Sequence, residues 1–165
     1  MTTPVEELKI RARLALKAQR TERPALRLGD CLNEVSRAVG FAHWEQARRV
    51  LGGQARVGED MGSFWHAPDC QHTLNTWFAD YASARDRLAQ AGEGGDAVLL
   101  PYRRQFVLAQ PGYIAALGLA PDDAMWTALG RDLVAGYGTP AWQGLAMARL
   151  AGRFAPPRRR PISGG

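Results

Sequence analysis

The residues best suited to chemistry are His66, Cys70 and His72, spaced His-x-x-x-Cys-x-His. Imidazole and thiolate are preferred zinc ligands, and Cys31, Asp60 or Asp69 could supply a fourth. Against a metal, Pro68 interrupts the backbone between His66 and Cys70, and no second CxxC or HxxxH pair is present. The sequence therefore assigns neither metal nor cofactor, and these three residues stand as its only metal-ligand candidates. Cysteine catalysis needs a thiolate activated by a base, which His66 or His72 could provide to Cys70. Cys31 falls on the apolar face of its helix, as an inert buried thiol does. Gly62-Ser63 lacks the nucleophile-elbow pattern, and Ser36 and Ser83 fall inside expected helices. The glycine-rich run Gly92 to Asp96 follows a helix and precedes a strand, the reverse of a phosphate loop, so it reads as a turn. No catalytic residue is assigned.

Cations offer a stronger pattern. Lys9, Arg13, Lys17 and Arg20 recur at helical period and make one basic stripe, about 100° from an apolar stripe of Val5, Leu8, Ala12 and Leu16. Arg48 and Arg49 lie on the third expected helix, Arg103 and Arg104 follow Tyr102 at a hairpin tip, and Arg158 to Arg160 form a basic run. Residues 1–56 carry eleven Lys/Arg against six Asp/Glu, residues 57–152 six against ten, and residues 153–165 four against none. The net charge of +5 thus describes basic ends around an acidic middle. A cation that meets a phosphate releases counterions, so the stripe suits non-specific nucleic-acid binding, while a solvated helix face explains the same residues. The second and third helices have the outline of a helix-turn-helix or of a plain helical hairpin. Trp77, Phe78 and Tyr81 with Tyr102 and Phe106 could stack on bases, although their spacing points them inward as core.

The elements that must position these residues begin at Thr3-Pro4-Val5-Glu6, a capping box with proline at the first helical position. That helix fades near Gln19. A second runs from an Asp30 cap through Val39 and stops at Gly40, and a third from Phe41 to Leu51. Residues 54–68 read as linker, with Phe64 and Trp65 anchored to something. Asp69 caps an amphipathic helix traced by Leu74, Trp77, Phe78, Tyr81, Ala84 and Leu88. Ala97 to Leu100 and Gln105 to Leu108 are strands of one hairpin. Short helices follow near Tyr113 and Pro121, and Thr139-Pro140 starts a last one. The expected fold class is α+β and mainly helical: a three-helix unit, then helices with one small antiparallel hairpin. The domain organisation is a basic helical module at 1–53, a linker at 54–68, an α+β domain at 69–152 and a disordered basic tail at 153–165.

Within 8–51, Leu8-Lys9, Ala12, Leu14, Leu32, Val35, Ala38 to Phe41 and Trp44 resemble a short helical module of bacterial proteins labelled "glyoxalase superfamily". The remainder resembles a proteobacterial family of unknown function, through Asn75 to Phe78, Leu99 to Arg103, Gln105 to Val107, Tyr113-Ile114 and Leu117 to Leu119. Together the resemblances cover most of residues 8–150 and imply a bacterial origin. They do not imply the labelled activity, which needs His and Glu metal ligands on a larger sheet than this chain offers.

The functional expectation is a non-enzymatic binding protein that meets nucleic acid, or another acidic partner, through Lys9, Arg13, Lys17, Arg20, Arg48, Arg49, Arg103 and Arg104. A protein–protein adaptor using the aromatic second half is the alternative, and a metal-dependent enzyme using His66, Cys70 and His72 the remote one. No run reaches the roughly 20 apolar residues of a membrane helix. Early charges at Glu6, Glu7 and Lys9 argue against a signal peptide, and two cysteines suit a reducing compartment, so the expected location is the cytoplasm.

Overall fold

The computed structural model describes residues 2–92 and 95–155. The Thr3 hydroxyl accepts from the Glu6 amide at 3.2 Å while the Glu6 carboxylate accepts from the Thr3 amide at 2.8 Å, and this reciprocal cap starts α1 (Pro4–Gln19). Its Leu8 and Ala12 are buried against α2 (Leu28–Ala38), α3 (Trp44–Leu51) and the last helix. Asp30 is not the cap of α2. It sits in the first turn, and its carboxylate accepts from the Arg27 amide at 2.9 Å, which lets the helix begin two residues earlier than expected.

Gly40 ends α2 at φ +102, and a Cβ there would lie 2.7 Å from the Ser63 carbonyl carbon. Only glycine admits both that conformation and that contact. The Ser63 amide in turn donates to the Gly40 carbonyl at 2.7 Å. Residues 54–68 are therefore not a free linker: Met61, Phe64 and Trp65 are buried in the main core. Phe64 stacks on Phe41 at 5.6 Å and meets Trp65 edge-on at 4.8 Å, and Trp65 meets Trp142 at 5.9 Å. The segment lacks hydrophobic period because its backbone is fixed by contacts from elsewhere. The Met61 amide donates to the Arg103 carbonyl, and the Arg103 amide donates to the Gly62 carbonyl.

The amphipathic helix expected from Asp69 to Ala91 is also corrected. A 3₁₀ turn at Pro68–His72 leads into β1 (Asn75–Phe78), and α4 (Tyr81–Gln90) starts only afterwards. Its cap is Asp80, whose carboxylate accepts from the Ser83 amide at 2.8 Å. Helical spacing of Leu74, Trp77, Phe78 and Tyr81 was a coincidence of period across a strand, a break and a helix start. Tertiary pairing decided the outcome, as it commonly does for β-branched and aromatic runs.

The hairpin of β2 (Val98–Tyr102) and β3 (Gln105–Ala109) forms as expected, and β1 makes it a three-stranded antiparallel sheet of order β1-β3-β2. Trp77 pairs with Val107 and Phe78 with Phe106. One face carries Val98, Leu100, Val107 and Ala109 into the main core, and the other buries Leu99, Phe106 and Leu108 beneath Ala84 of α4. Short helices α5 (Pro111–Ala116) and α6 (Ala124–Ala128) precede α7 (Pro140–Arg153), capped by Thr139.

The main core unites Leu8, Val50 and Leu51 with Trp126, Trp142 and Leu150. The Tyr137 hydroxyl ties the two halves as well: it donates to the Val50 carbonyl and accepts from the Ala55 amide at 3.2 Å. The fold is α+β and mainly helical. Among the described residues no helix is long and apolar enough to cross a membrane. Of the expected tail, Arg153 belongs to α7 and bonds the Ala38 carbonyl at 2.7 Å, while 156–165 lie outside the described residues.

Because Phe64 is 1% exposed and contacts two aromatic rings, Phe64→Ala should cost about 3–5 kcal/mol in a urea melt, as large core truncations do. A loss below about 1 kcal/mol would return the segment to the linker first expected of it.

Candidate functional site

Lys9, Arg13, Lys17 and Arg20 are all exposed along α1, and none forms an ion pair among the described residues. Arg48 and Arg49 differ. Arg48 bridges Glu45 at 2.9 Å and Arg49 bridges Glu59 at 2.9 Å, holding the Glu59 carboxyl below its usual range. The exposed side of α3, the helix a DNA-reading pair would insert, thus already carries an internal ion pair. Arg103 and Arg104 occupy the β2–β3 turn, with the Arg103 guanidinium 5.4 Å from the Tyr102 ring centre. Arg103 holds this turn at φ 51.

His66, Cys70 and His72 do not converge. Cys70 is fully buried and its thiol points to the Tyr113 carbonyl at 3.7 Å, whereas His72 is exposed. Burial pushes the Cys70 and Cys31 thiols up, away from the reactive thiolate. Among the described residues no three His, Cys, Asp or Glu side chains are placed to hold a metal.

His66 is nevertheless in a specific setting. The Tyr113 hydroxyl donates its single hydrogen to the Trp65 carbonyl at 2.6 Å. Its contact with His66 Nδ1 at 3.0 Å must then run the other way, with Nδ1–H donating to the phenolic oxygen. This fixes the neutral tautomer and leaves Nε2 as an acceptor. Burial of the ring, then the charges of Arg149 and Arg103, hold the imidazole below its usual pKa. Burial pushes the Tyr113 phenol far above its own.

The ring belongs to a wall of aromatics. His66 lies 5.0 Å from Tyr102, and Tyr102 lies 5.2 Å from Trp77. Trp77 on β1 and Tyr102 on β2 point from the same sheet face, beyond where the core covers it. Trp77 is 43% exposed, so it leaves the core that its spacing suggested, while Phe78, Tyr81 and Phe106 join the packing under α4.

Beside this wall runs a cleft of about 390 Å³ lined by Arg37, Arg149, Arg153, His66 and Tyr102. Among the described residues no Asp or Glu lines it. Arg149 donates from Nε to the Phe64 carbonyl at 3.1 Å, from Nη1 to Leu117 at 3.0 Å and from Nη2 to His66 at 3.1 Å. All three partners are neutral. Burial, then neighbouring Arg153, pull its guanidinium below the usual value, though arginine stays charged. Sequence reasoning missed Arg149, whose one available signal was a lone cation between Met147, Ala148 and Leu150 in an apolar helix.

A group whose folded pKa is depressed in this way resists protonation in the native state alone. His66 should therefore support stability above its unfolded value of about 6.5 and withdraw that support as pH falls below it. Urea melts at pH 7.5 and pH 5.5 should show a smaller pH-dependent loss in His66→Gln than in the parent protein. Equal losses would mean that His66 ionises freely. Compared with known proteins, the chain matches no protein-family model, no curated protein and no solved structure, and its functional reading rests on these side chains.

Proposed function

We propose that the chain is a non-enzymatic binding protein that associates with nucleic acid through the cationic face of α1. The observation that supports this is the stripe of Lys9, Arg13, Lys17 and Arg20, exposed and without carboxylate partners among the described residues. The acids of the same helix are engaged elsewhere. Glu6 accepts from the Thr3 amide at 2.8 Å, and Glu7 bridges Arg11 at 2.8 Å. A rigid α1, capped at its start and buried along Leu8 and Ala12, holds Lys9, Arg13 and Lys17, with Arg20 at its C-cap, at helical spacing without further backbone ordering. Such a row suits phosphates along a strand and carries no base readout, so the binding is electrostatic and tolerant of sequence. The two buried free thiols suit a reducing cytoplasm.

A protein-adaptor reading has its own support in Leu74, 87% exposed just before the edge strand β1, and in Trp77, 43% exposed on that strand. Edge strands with exposed apolar side chains recruit extended peptides.

Binding to a random DNA duplex should weaken steeply with salt. Four phosphate contacts give a slope of log affinity against log salt near −3.5, at roughly 0.9 per contact. Replacing Lys9, Arg13 and Lys17 together with Gln should flatten the slope to about −1 and weaken all sequences alike. Fluorescence anisotropy across a salt series measures both. Absent binding at low salt, or a slope unmoved by the triple substitution, would favour the adaptor reading instead.

A further inference from the structure

We propose that the cleft between α2, α7 and the aromatic wall binds a nucleoside phosphate, with the phosphate against Arg37, Arg149 and Arg153 and the base against Tyr102 and Trp77. The argument starts from an unbalanced charge. A guanidinium withdrawn from water is normally matched by a carboxylate, because desolvating an unmatched charge is costly. Among the described residues Arg149 has only the Phe64, His66 and Leu117 carbonyls, which satisfy three of its five N–H groups and none of its charge.

Its neighbours deepen the imbalance. Arg153 approaches from the next turn of α7, Arg37 from the end of α2, and neither forms an ion pair among the described residues. An adjoining cleft shares Arg37, Gly40 and Ser63 and adds Arg103. It contains one acid, Asp60, whose carboxylate accepts from the Gly62 amide at 2.8 Å. Among the described residues four arginines and one carboxylate thus line these two adjoining clefts. An exogenous anion completes this arrangement, and a phosphate has enough oxygens to meet several guanidinium groups at once.

The aromatic wall specifies the rest of the ligand. Tyr102 and His66 line the cleft, and Trp77, outside the lining, meets the Tyr102 ring edge-on at 5.2 Å and is 43% exposed. A tyrosine ring lining a cationic hollow, with an exposed indole next to it, fits a planar base attached to a phosphate, through stacking that tolerates any base. The volume of about 390 Å³ lies in the range of small-ligand sites, ~300–1,000 Å³. The same chemistry is offered by a free nucleotide and by the phosphorylated end of a single strand. This site does not depend on the α1 stripe, which has different residues and a separate test.

Isothermal titration calorimetry of the full chain decides it, with adenosine 5′-monophosphate, adenosine, inorganic phosphate and 5′-phosphorylated or 5′-hydroxyl oligothymidylate as probes. The monophosphate should bind, and adenosine should bind about tenfold more weakly or worse, as the loss of charged hydrogen bonds dictates. Arg37→Gln and Arg153→Gln, both at exposed positions, should each weaken the monophosphate about fivefold or more. They carry the test because Arg149→Gln would also loosen the fold. Trp77→Ala should weaken the monophosphate about fivefold while leaving inorganic phosphate unchanged. Replacing Lys9, Arg13 and Lys17 should leave the affinities for the monophosphate and for inorganic phosphate alone, which separates this site from the strand-binding face of α1. Binding of the 5′-phosphorylated strand that is tighter than that of both its 5′-hydroxyl counterpart and the monophosphate assigns a strand end, and a monophosphate bound more tightly than the phosphorylated strand assigns a free nucleotide; both support the site. Equal affinity for adenosine and its monophosphate, no heat with any phosphorylated probe, or indifference to Arg37→Gln and Arg153→Gln would overturn it.

Discussion

The guanidinium of Arg149 joins three parts of the chain that no run of hydrophobic residues would bring into register. From α7 it bonds the carbonyls of Phe64 and His66 in the segment before β1, and that of Leu117 at the end of α5. Phe64 and Trp65, held by that bonding, complete the aromatic stack from Phe41 to Trp142. His66 is placed by the same clamp, since its carbonyl is bonded while its ring reaches the Tyr113 hydroxyl. One cation therefore fixes both the core beneath the cleft and the side chain at its edge.

The clamp has an electrostatic consequence that carbonyls cannot remove. Hydrogen bonds to neutral oxygen satisfy N–H groups, yet the unit charge still meets low-dielectric surroundings on the protein side. Arg153 adds to the same potential at Arg149, and at His66 the charges of Arg149 and Arg103 reinforce what burial does to the imidazole. The cations of α1 behave differently, because water surrounds them and salt screens them within about 8–10 Å. Two basic surfaces of one protein thus have distinct physics. One is a solvated row suited to loose contact with many phosphates, and the other a partly enclosed hollow suited to one.

Much of this architecture was legible from short-range chemistry. Thr3 with Glu6, Gly40 and Thr139-Pro140 marked helix ends correctly, because caps and stops act through neighbours in sequence. The β2–β3 hairpin was legible from two apolar runs around Arg103-Arg104. Where the decisive partner lay far along the chain, the reading failed. Asn75 to Phe78 became a strand because β3 pairs with it; Phe64 and Trp65 are anchored as expected, but Gly40, Arg103 and Arg149, which hold that segment, lie too far along the chain to be read from it. The exposed α1 stripe could be read from its period. The cleft could not, since Arg37, His66, Tyr102 and Arg149 belong to four separate elements and no spacing links them.

The proposed anion site turns on whether the Arg149 charge is answered by a ligand, and the guanidinium itself can report that. Its Nε–H, bonded to the Phe64 carbonyl at 3.1 Å, is the group to follow by proton–nitrogen NMR, because a hydrogen bond slows exchange with water. On titration with adenosine 5′-monophosphate, the Nε–H signals of Arg149 and Arg153 and the indole signal of Trp77 should shift together and saturate with a single dissociation constant. An Arg149 signal that stays fixed while the nucleotide binds elsewhere, or moves only with bulk ionic strength, would contradict the account.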